Sequence, residues 1–457
     1  MKPLTPDDGA PRKRRSIAWR MLFDTATVGG WTTAVKLAAA VKVILCARLF
    51  GAGDAMDAYL VAFLVPSFFS DVLAGPVDSA LIPTLIELRE KQGKAAADSV
   101  YAAVLAAAGA ILFVAAVAVA AFSGLLLPAL ASSFAPPKLA FTERLLLLMI
   151  ALVPFAGLSS TWRAVLNSEH KFALAALVPG VTPVISIGVL LAAGKRYGVA
   201  SLALATLAGV VLEAILSAAG VKRAGHALLP RWSGLTPAVR QVAGQYAPLA
   251  AITFVMTGST LLDQAMAARL APGSVSALSY GTRLLGVLVA IAPTAVGTAV
   301  LPHISTGASL RAPGALRRTL RTYGFLILAV ILPLIALLMY FSEPIIRILF
   351  QQGAFSESAT RLVAAVQSVS LLQLPMAVFL ALEIRLSSAV KGNRILYRVA
   401  GMTLLLTLVA DVVLMRWFGV VGIVLAGAVV RLVSSLYLSC KISVLSRETL
   451  ASGSSIA

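Results

Sequence analysis

Long apolar runs separated by short polar breaks dominate the chain, and most runs have the length of a membrane span rather than of a core helix. The runs fall near residues 31–49, 57–85, 99–128, 143–162, 173–194 and 198–220. Six more lie near 241–268, 275–302, 322–341, 362–384, 397–415 and 418–440. A helix of about 20 mostly apolar residues crosses a hydrocarbon core of about 30 Å. In lipid every backbone N–H and C=O needs an internal partner, which leaves helices or closed barrels, and runs this long select helices. The pattern therefore predicts an all-α polytopic membrane protein of about 12 transmembrane helices.

The runs repeat. Asp78-Ser79-Ala80-Leu81-Ile82-Pro83 returns about 220 residues later as Gly297-Thr298-Ala299-Val300-Leu301-Pro302, and Phe122-Ser123 returns as Phe341-Ser342 at the same offset, as duplicated transporter halves do. Less regularly, Pro154 and Arg163 correspond to Pro375 and Arg385. Six spans, an even number, separate the copies, so both cross the membrane in the same sense: two six-helix lobes related by a parallel repeat, with a cavity between them. The expected organisation is a basic cytoplasmic tail over 1–30, an N-terminal lobe over 31–220, and a cytoplasmic linker over 221–240 with Pro230 and Pro237. A C-terminal lobe over 241–440 and a cytoplasmic tail over 441–457 follow.

Composition agrees with lipid as the main solvent: 59% of the 457 residues are hydrophobic and only 12% charged, against about a quarter charged in soluble domains. The formal charge of +19 would suggest a polyanion partner on a soluble surface. Its distribution points instead to topology. The one dense run, Arg12-Lys13-Arg14-Arg15 with Arg20 behind it, reads as a topogenic tail on anionic lipid, and no nucleic-acid partner is expected. Arg89, Lys91, Lys94, Lys222, Arg223, Arg317, Arg318, Lys391 and Arg394 all fall on one side of a twelve-span layout, which predicts both termini in the cytoplasm. Residues 1–21 lack the apolar stretch and cleavage site of a secretory signal, so the N-terminus is expected to be retained.

Four cations fall within expected spans: Lys36, Lys42, Arg283 and Arg431. Each costs about 2.5–3.5 kcal/mol at a helix centre unless it meets water or a partner. Lys36 and Lys42 lie about 9 Å apart along a helix axis and about 120° apart around it. All four cations line a substrate cavity, or they pair with the acids at membrane depth, Asp71, Asp78, Glu213, Asp263 and Asp411. Asp263 reads equally as an ion-coupling carboxylate or a salt-bridge partner. Asp411 and Glu213 read as structural or snorkelling groups. Pro66, Pro76, Pro83, Pro154, Pro179, Pro183, Pro293, Pro302 and Pro375 punctuate the spans as kinks or hinges.

Enzymatic chemistry has little to stand on. The chain has no G-x-x-x-x-G-K-[ST] phosphate loop, no H-E-x-x-H and no metal-ligand cysteine spacing. His170, His226 and His303 fall in expected cytoplasmic segments, and Cys46 and Cys440 read as small hydrophobes. No catalytic residue, metal or cofactor is expected. The reading is a transporter.

At 50–63 the sequence is FGAGDAMDAYLVAF, followed by Pro66 and ALIPTLIELREKQGK. GSVSALSYGTRL at 273–284, AVLPHIS at 299–305 and EPIIRILFQQGAF at 343–355 follow in order. Together these segments resemble the MurJ (MviN) family of lipid II flippases, within the multidrug/oligosaccharidyl-lipid/polysaccharide exporter superfamily. The resemblance implies flipping of an undecaprenyl-pyrophosphate-linked saccharide to the outer leaflet of the bacterial inner membrane by alternating access. Membrane lipids and proteins of cell-wall or polysaccharide synthesis are its implied partners. The family's first-helix basic pair falls on Lys36 and Lys42, its eighth-helix arginine on Arg283, and its aspartate after FGAG on Asp57. The chain departs from the family at Ser70, where the second helix carries arginine, and at Gly75, where it carries an acid. It also has twelve expected spans against fourteen. An exopolysaccharide or O-antigen precursor is the alternative cargo. A cation-coupled drug exporter would want acids where Lys36 and Lys42 stand. A membrane scaffold would tolerate neutral substitutions at Lys36, Lys42 and Arg283.

Overall fold

A computed structural model describes residues 10–291, 315–389 and 393–453, and every regular element among them is helical. The expectations that rest on His303, Pro293, Pro302, Lys391 and segments 297–302 and 299–305 lie outside the described residues. So do the side chains of Arg317, Arg318, Arg385 and Arg394.

The helices follow the apolar runs and break where the sequence weakens them. The first is α1 (Ala10–Phe50), then α2 (Asp54–Leu73) and α3 (Val77–Gln92), separated at the Gly75-Pro76 turn. Next come α4 (Lys94–Ala121), α5 (Ser123–Leu130), α6 (Pro136–Met149), α7 (Leu152–Ser168), α8 (Phe172–Leu177), α9 (Val181–Tyr197) and α10 (Val199–Arg223). The second half holds α11 (Pro237–Ala267), α12 (Ser274–Gly281), α13 (283–291), α14 (Ala315–Tyr340), α15 (Ser342–Phe350), α16 (Glu357–Leu371), α17 (Gln373–Ala389) and α18 (Asn393–Gly453).

Among the described residues nine helices are long and apolar enough to cross a membrane, or ten if the pair Leu328–Tyr340 and Ser342–Phe350, bent by 57°, is one span. The Arg398–Lys441 stretch has 44 residues, about 66 Å of straight helix and twice a bilayer core. Gly419, at φ 57 and ψ −135, breaks it between the two spans expected there. The remaining expected span, carrying Lys36 and Lys42, lies within α1.

Two compact units emerge from packing. The first comprises Met1–Leu45, Leu73–Ala118 and Leu148–Leu249, the second Cys46–Val72, Val119–Leu147 and Ala250–Ala457. The expected lobes follow chain order, whereas these units follow contact, and the second unit includes two segments of the N-terminal half. The first unit's core gathers Leu81, Leu85, Tyr101, Leu105, Leu166 and Val221 from α3, α4, α7 and α10. The second holds Leu285, Ile331, Ile335, Leu371, Val399 and Leu438 from α13, α14, α16 and α18.

The repeat is visible locally in the second unit. Phe122 caps α5 at φ −101, ψ 10, and Phe341 caps α15 at φ −90, ψ 10. Each is followed by a buried serine whose hydroxyl donates to a backbone carbonyl, Ser123 to Ala120 and Ser342 to Ala364.

Candidate functional site

In the first unit α1 approaches the turn before α9, where a side chain on Gly180 would meet Val35 at 2.7 Å. Val35 and Lys42, seven residues apart, share that helix face. Lys42 is accordingly half-buried and lies within electrostatic reach of Glu213, while Lys36, on another face, is exposed. The two lysines thus lie on different faces of α1.

In the second unit Asp57 does something the sequence did not suggest. It is 1% exposed, and its carboxylate accepts the N–H of Gly273 at 2.7 Å and of Ser276 at 2.8 Å. These are orphan donors at the start of α12, so Asp57 caps that helix from another part of the chain and complements its dipole. Lys138 lies 2.5 Å from Asp54 and 3.8 Å from Asp57, over the Phe134 ring.

Further bonds draw the same segments together. The N–H of Ala354 donates to the Arg48 carbonyl at 2.9 Å, and the Tyr280 hydroxyl to the Gly51 carbonyl at 3.4 Å. The Ser133 hydroxyl donates to the Ala268 carbonyl at 2.6 Å, and Arg269 to the Ala129 carbonyl at 3.3 Å. Gly353, at φ 66, is placed so that any Cβ would collide with the Arg48 carbonyl, so the close approach needs glycine. This is a clasp between segments of the two halves of the chain. Arg283, just beyond α12, is exposed.

Asp263 on α11 faces Asp411 on α18, and the charge of Arg431 acts on Asp263. No donor reaches Asp263 Oδ1 or either oxygen of Asp411, which is 0% exposed. Arg431 Nε donates to Gln373 Oε1 at 3.0 Å, and Gln373 Nε2 to the Val424 carbonyl at 2.7 Å. Asp263 thus stands between a second carboxyl and a cation. Ser70 is half-buried and Asp71 exposed.

Three features escaped the sequence reading. Glu383, 0% exposed, accepts the hydroxyls of Ser435 at 2.8 Å and of Ser439. It lies in the expected span 362–384, so a scan of that run for acids would have found it. His226 sits between Asp98 and Glu169, each at 2.5 Å, and Arg89 also bonds Glu169. No sequence spacing signals this cluster, because its members come from the ends of four different elements. Arg163, expected at a span end, lies inside α7, which runs on to Ser168. Among the described residues no group of three His, Cys, Asp or Glu gathers as metal ligands would.

The family model described as lipid II flippase MurJ matches residues 46–447. The chain belongs to the MurJ family. The lipid II flippase MurJ of Burkholderia cenocepacia is 30% identical over 355 residues, covering 74% of this chain and 67% of that protein. A probable lipid II flippase MurJ of Bdellovibrio bacteriovorus is 25% identical over 430 residues, 93% of this chain and 77% of that protein. Among solved structures, lipid II flippase MurJ in an inward closed conformation aligns with a TM-score of 0.77 at 22% identity, covering 93% of this chain and 91% of that one. An inward-facing multidrug MATE transporter of the MOP superfamily aligns at 0.64 and 14% identity, covering 90% and 96%. The solved structures share this chain's polytopic helical fold, and the MurJ family is one of flippases, transporters rather than enzymes.

Proposed function

We propose that this chain flips lipid II, the undecaprenyl-pyrophosphate-linked precursor of peptidoglycan, from the inner to the outer leaflet of the bacterial inner membrane. The match to the MurJ family over residues 46–447 carries this reading. Lys36, Lys42 and Arg283 are the cations that meet the pyrophosphate. They lie in candidate or expected spans, and Lys36 and Arg283 are exposed, as groups awaiting an anion in an aqueous cavity must be.

Asp57 works differently in this reading. Both its oxygens are committed to α12, so it serves the clasp rather than the substrate. The clasp segments near 50–56, 131–135, 268–273 and 351–356 all follow odd-numbered expected spans, which with cytoplasmic termini puts them outside. The clasp is then a closed outer gate, and opening it costs the Asp57 bonds. Asp263 is read as the charge partner of Arg431 rather than as a free ion-coupling carboxylate, since that cation already acts on it without a direct bridge. Without a phosphate loop, the driving force is a gradient, the membrane potential or consumption of the product. Protein partners belong to cell-wall synthesis, which makes and uses the lipid.

Ser70 and Asp71, where the resemblance expects a cation, favour the second cargo, an exopolysaccharide or O-antigen precursor with the same pyrophosphate-polyprenyl handle. Complementation of a lipid II flippase depletion strain separates the two. The parent chain is expected to restore growth, and Lys36→Ala, Lys42→Ala and Arg283→Ala, at matched membrane levels, are expected to fail. A well-expressed parent that does not rescue moves the assignment to the second cargo. Rescue by all three variants removes the basic residues from the substrate site.

A further inference from the structure

Resting on that proposed function, we propose that Arg163 binds the diphosphate of the lipid-linked substrate and that Glu213 is the internal carboxylate that holds its place while the site is empty.

Arg163 is half-buried on α7. Its Nε is shielded from solvent without a hydrogen-bond partner, and the guanidinium makes no ion pair among the described residues. A structural arginine in a span is normally locked into a bridge, because an uncompensated charge there is costly. Arg163 instead stands within electrostatic reach of two carboxylates, Asp78 on α3 and Glu213 on α10, and engages neither directly.

Glu213 also feels Lys42, so one carboxylate is shared by two cations from different helices. The backbone builds this position. A Cβ on Gly209 would stand 2.6 Å from the Cα of Thr182, so only glycine lets α10 press against the start of α9. Glu213, one turn further along the same face, thereby reaches the Thr182 N–H at 3.2 Å, at a helix N-terminus that favours negative charge. Thr182 Oγ1 beside it is buried without a partner.

Lys42, Arg163, Asp78 and Glu213 are all half-buried rather than sealed, and these four groups make up the proposed bay. A guanidinium presents a planar fork that matches phosphate oxygens, whereas Lys42 offers a point charge. A diphosphate binding in this bay takes over from Glu213 as the counter-charge of the two cations. The acid then keeps the empty bay near neutral and is released when substrate arrives.

The test uses the purified full chain in lipid nanodiscs, with binding of lipid II and of undecaprenyl pyrophosphate followed by native mass spectrometry. Relative to the parent, Arg163→Gln is expected to bind both at least about tenfold more weakly, Arg163→Lys to fall between, and Glu213→Gln to bind more tightly. The thermal midpoint of each variant without lipid controls for folding, and Arg163→Lys keeps the charge should Arg163→Gln unfold. A parent that binds lipid II with Arg163→Gln indistinguishable from it overturns the role of Arg163 alone. Weakening by Glu213→Gln as large as that by Arg163→Gln overturns the place-holding role. Arg163-dependent binding of undecaprenyl pyrophosphate without binding of lipid II leaves the bay standing and removes lipid II as cargo. A parent that binds neither probe overturns both.

Discussion

Asp57 shows how one side chain can hold distant segments of a chain together, here at the proposed gate. Its oxygens take two backbone N–H groups that have no partner within α12, and withdrawing an acceptor from buried donors costs about 1–3 kcal/mol. Asp57→Asn cannot accept on its amide nitrogen, so it is expected to shift the clasp towards open by about 5- to 150-fold. Cys46, 3% exposed in the same unit, reports this: in a Cys440→Ser background its labelling from outside by an impermeant maleimide should accelerate accordingly. An unchanged rate would detach Asp57 from the gate. Arg431 poses the complementary case. Arg431→Leu leaves Asp263, facing Asp411, without the cation that acts on it and is expected to destabilise the protein by about 1–3 kcal/mol. Adding Asp263→Asn should recover most of that loss in thermal unfolding, and failure to recover it would show that the two groups do not compensate each other.

Among elements, the breaks carry as much information as the helices. Gly353 is a break that must stay glycine, because it combines positive φ with backbone contact to Arg48. Gly353→Ala is expected to lower the thermal midpoint and to speed Cys46 labelling together, whereas a change in only one would separate folding from gating. The apolar runs made most helices legible, since span length is a property of composition alone. The repeat was legible too, and Phe122 and Phe341 fall at matching caps. The partners of the charged groups were not. Lys42 and Glu213, Asp57 and Gly273, and Asp263 and Asp411 are each brought together by tertiary packing between segments far apart in sequence. The capping role of Asp57 was not legible for a related reason: a motif marks a residue without saying which backbone it caps.

For the whole molecule, sidedness offers an internal check on the span count. Segments after the first, third, seventh and ninth expected spans meet in the clasp. Those after the second, fourth and sixth meet around Lys94, Glu169 and His226, where Lys94 donates to the Gly225 carbonyl at 3.1 Å. One miscounted span among these would have mixed the two sets. A fluorescent protein fused to the C-terminus should therefore be bright and an exported phosphatase fused there inactive; the opposite result would invert the proposed topology. The most direct test of the transport itself is the leaflet distribution of lipid II in cells that depend on this chain. An externally added enzyme that cleaves lipid II should find its substrate when the parent is expressed. With Lys42→Ala or Arg283→Ala at equal membrane levels, lipid II should accumulate on the inner leaflet, protected from cleavage. Protection in cells expressing the parent would contradict lipid II flipping by this protein.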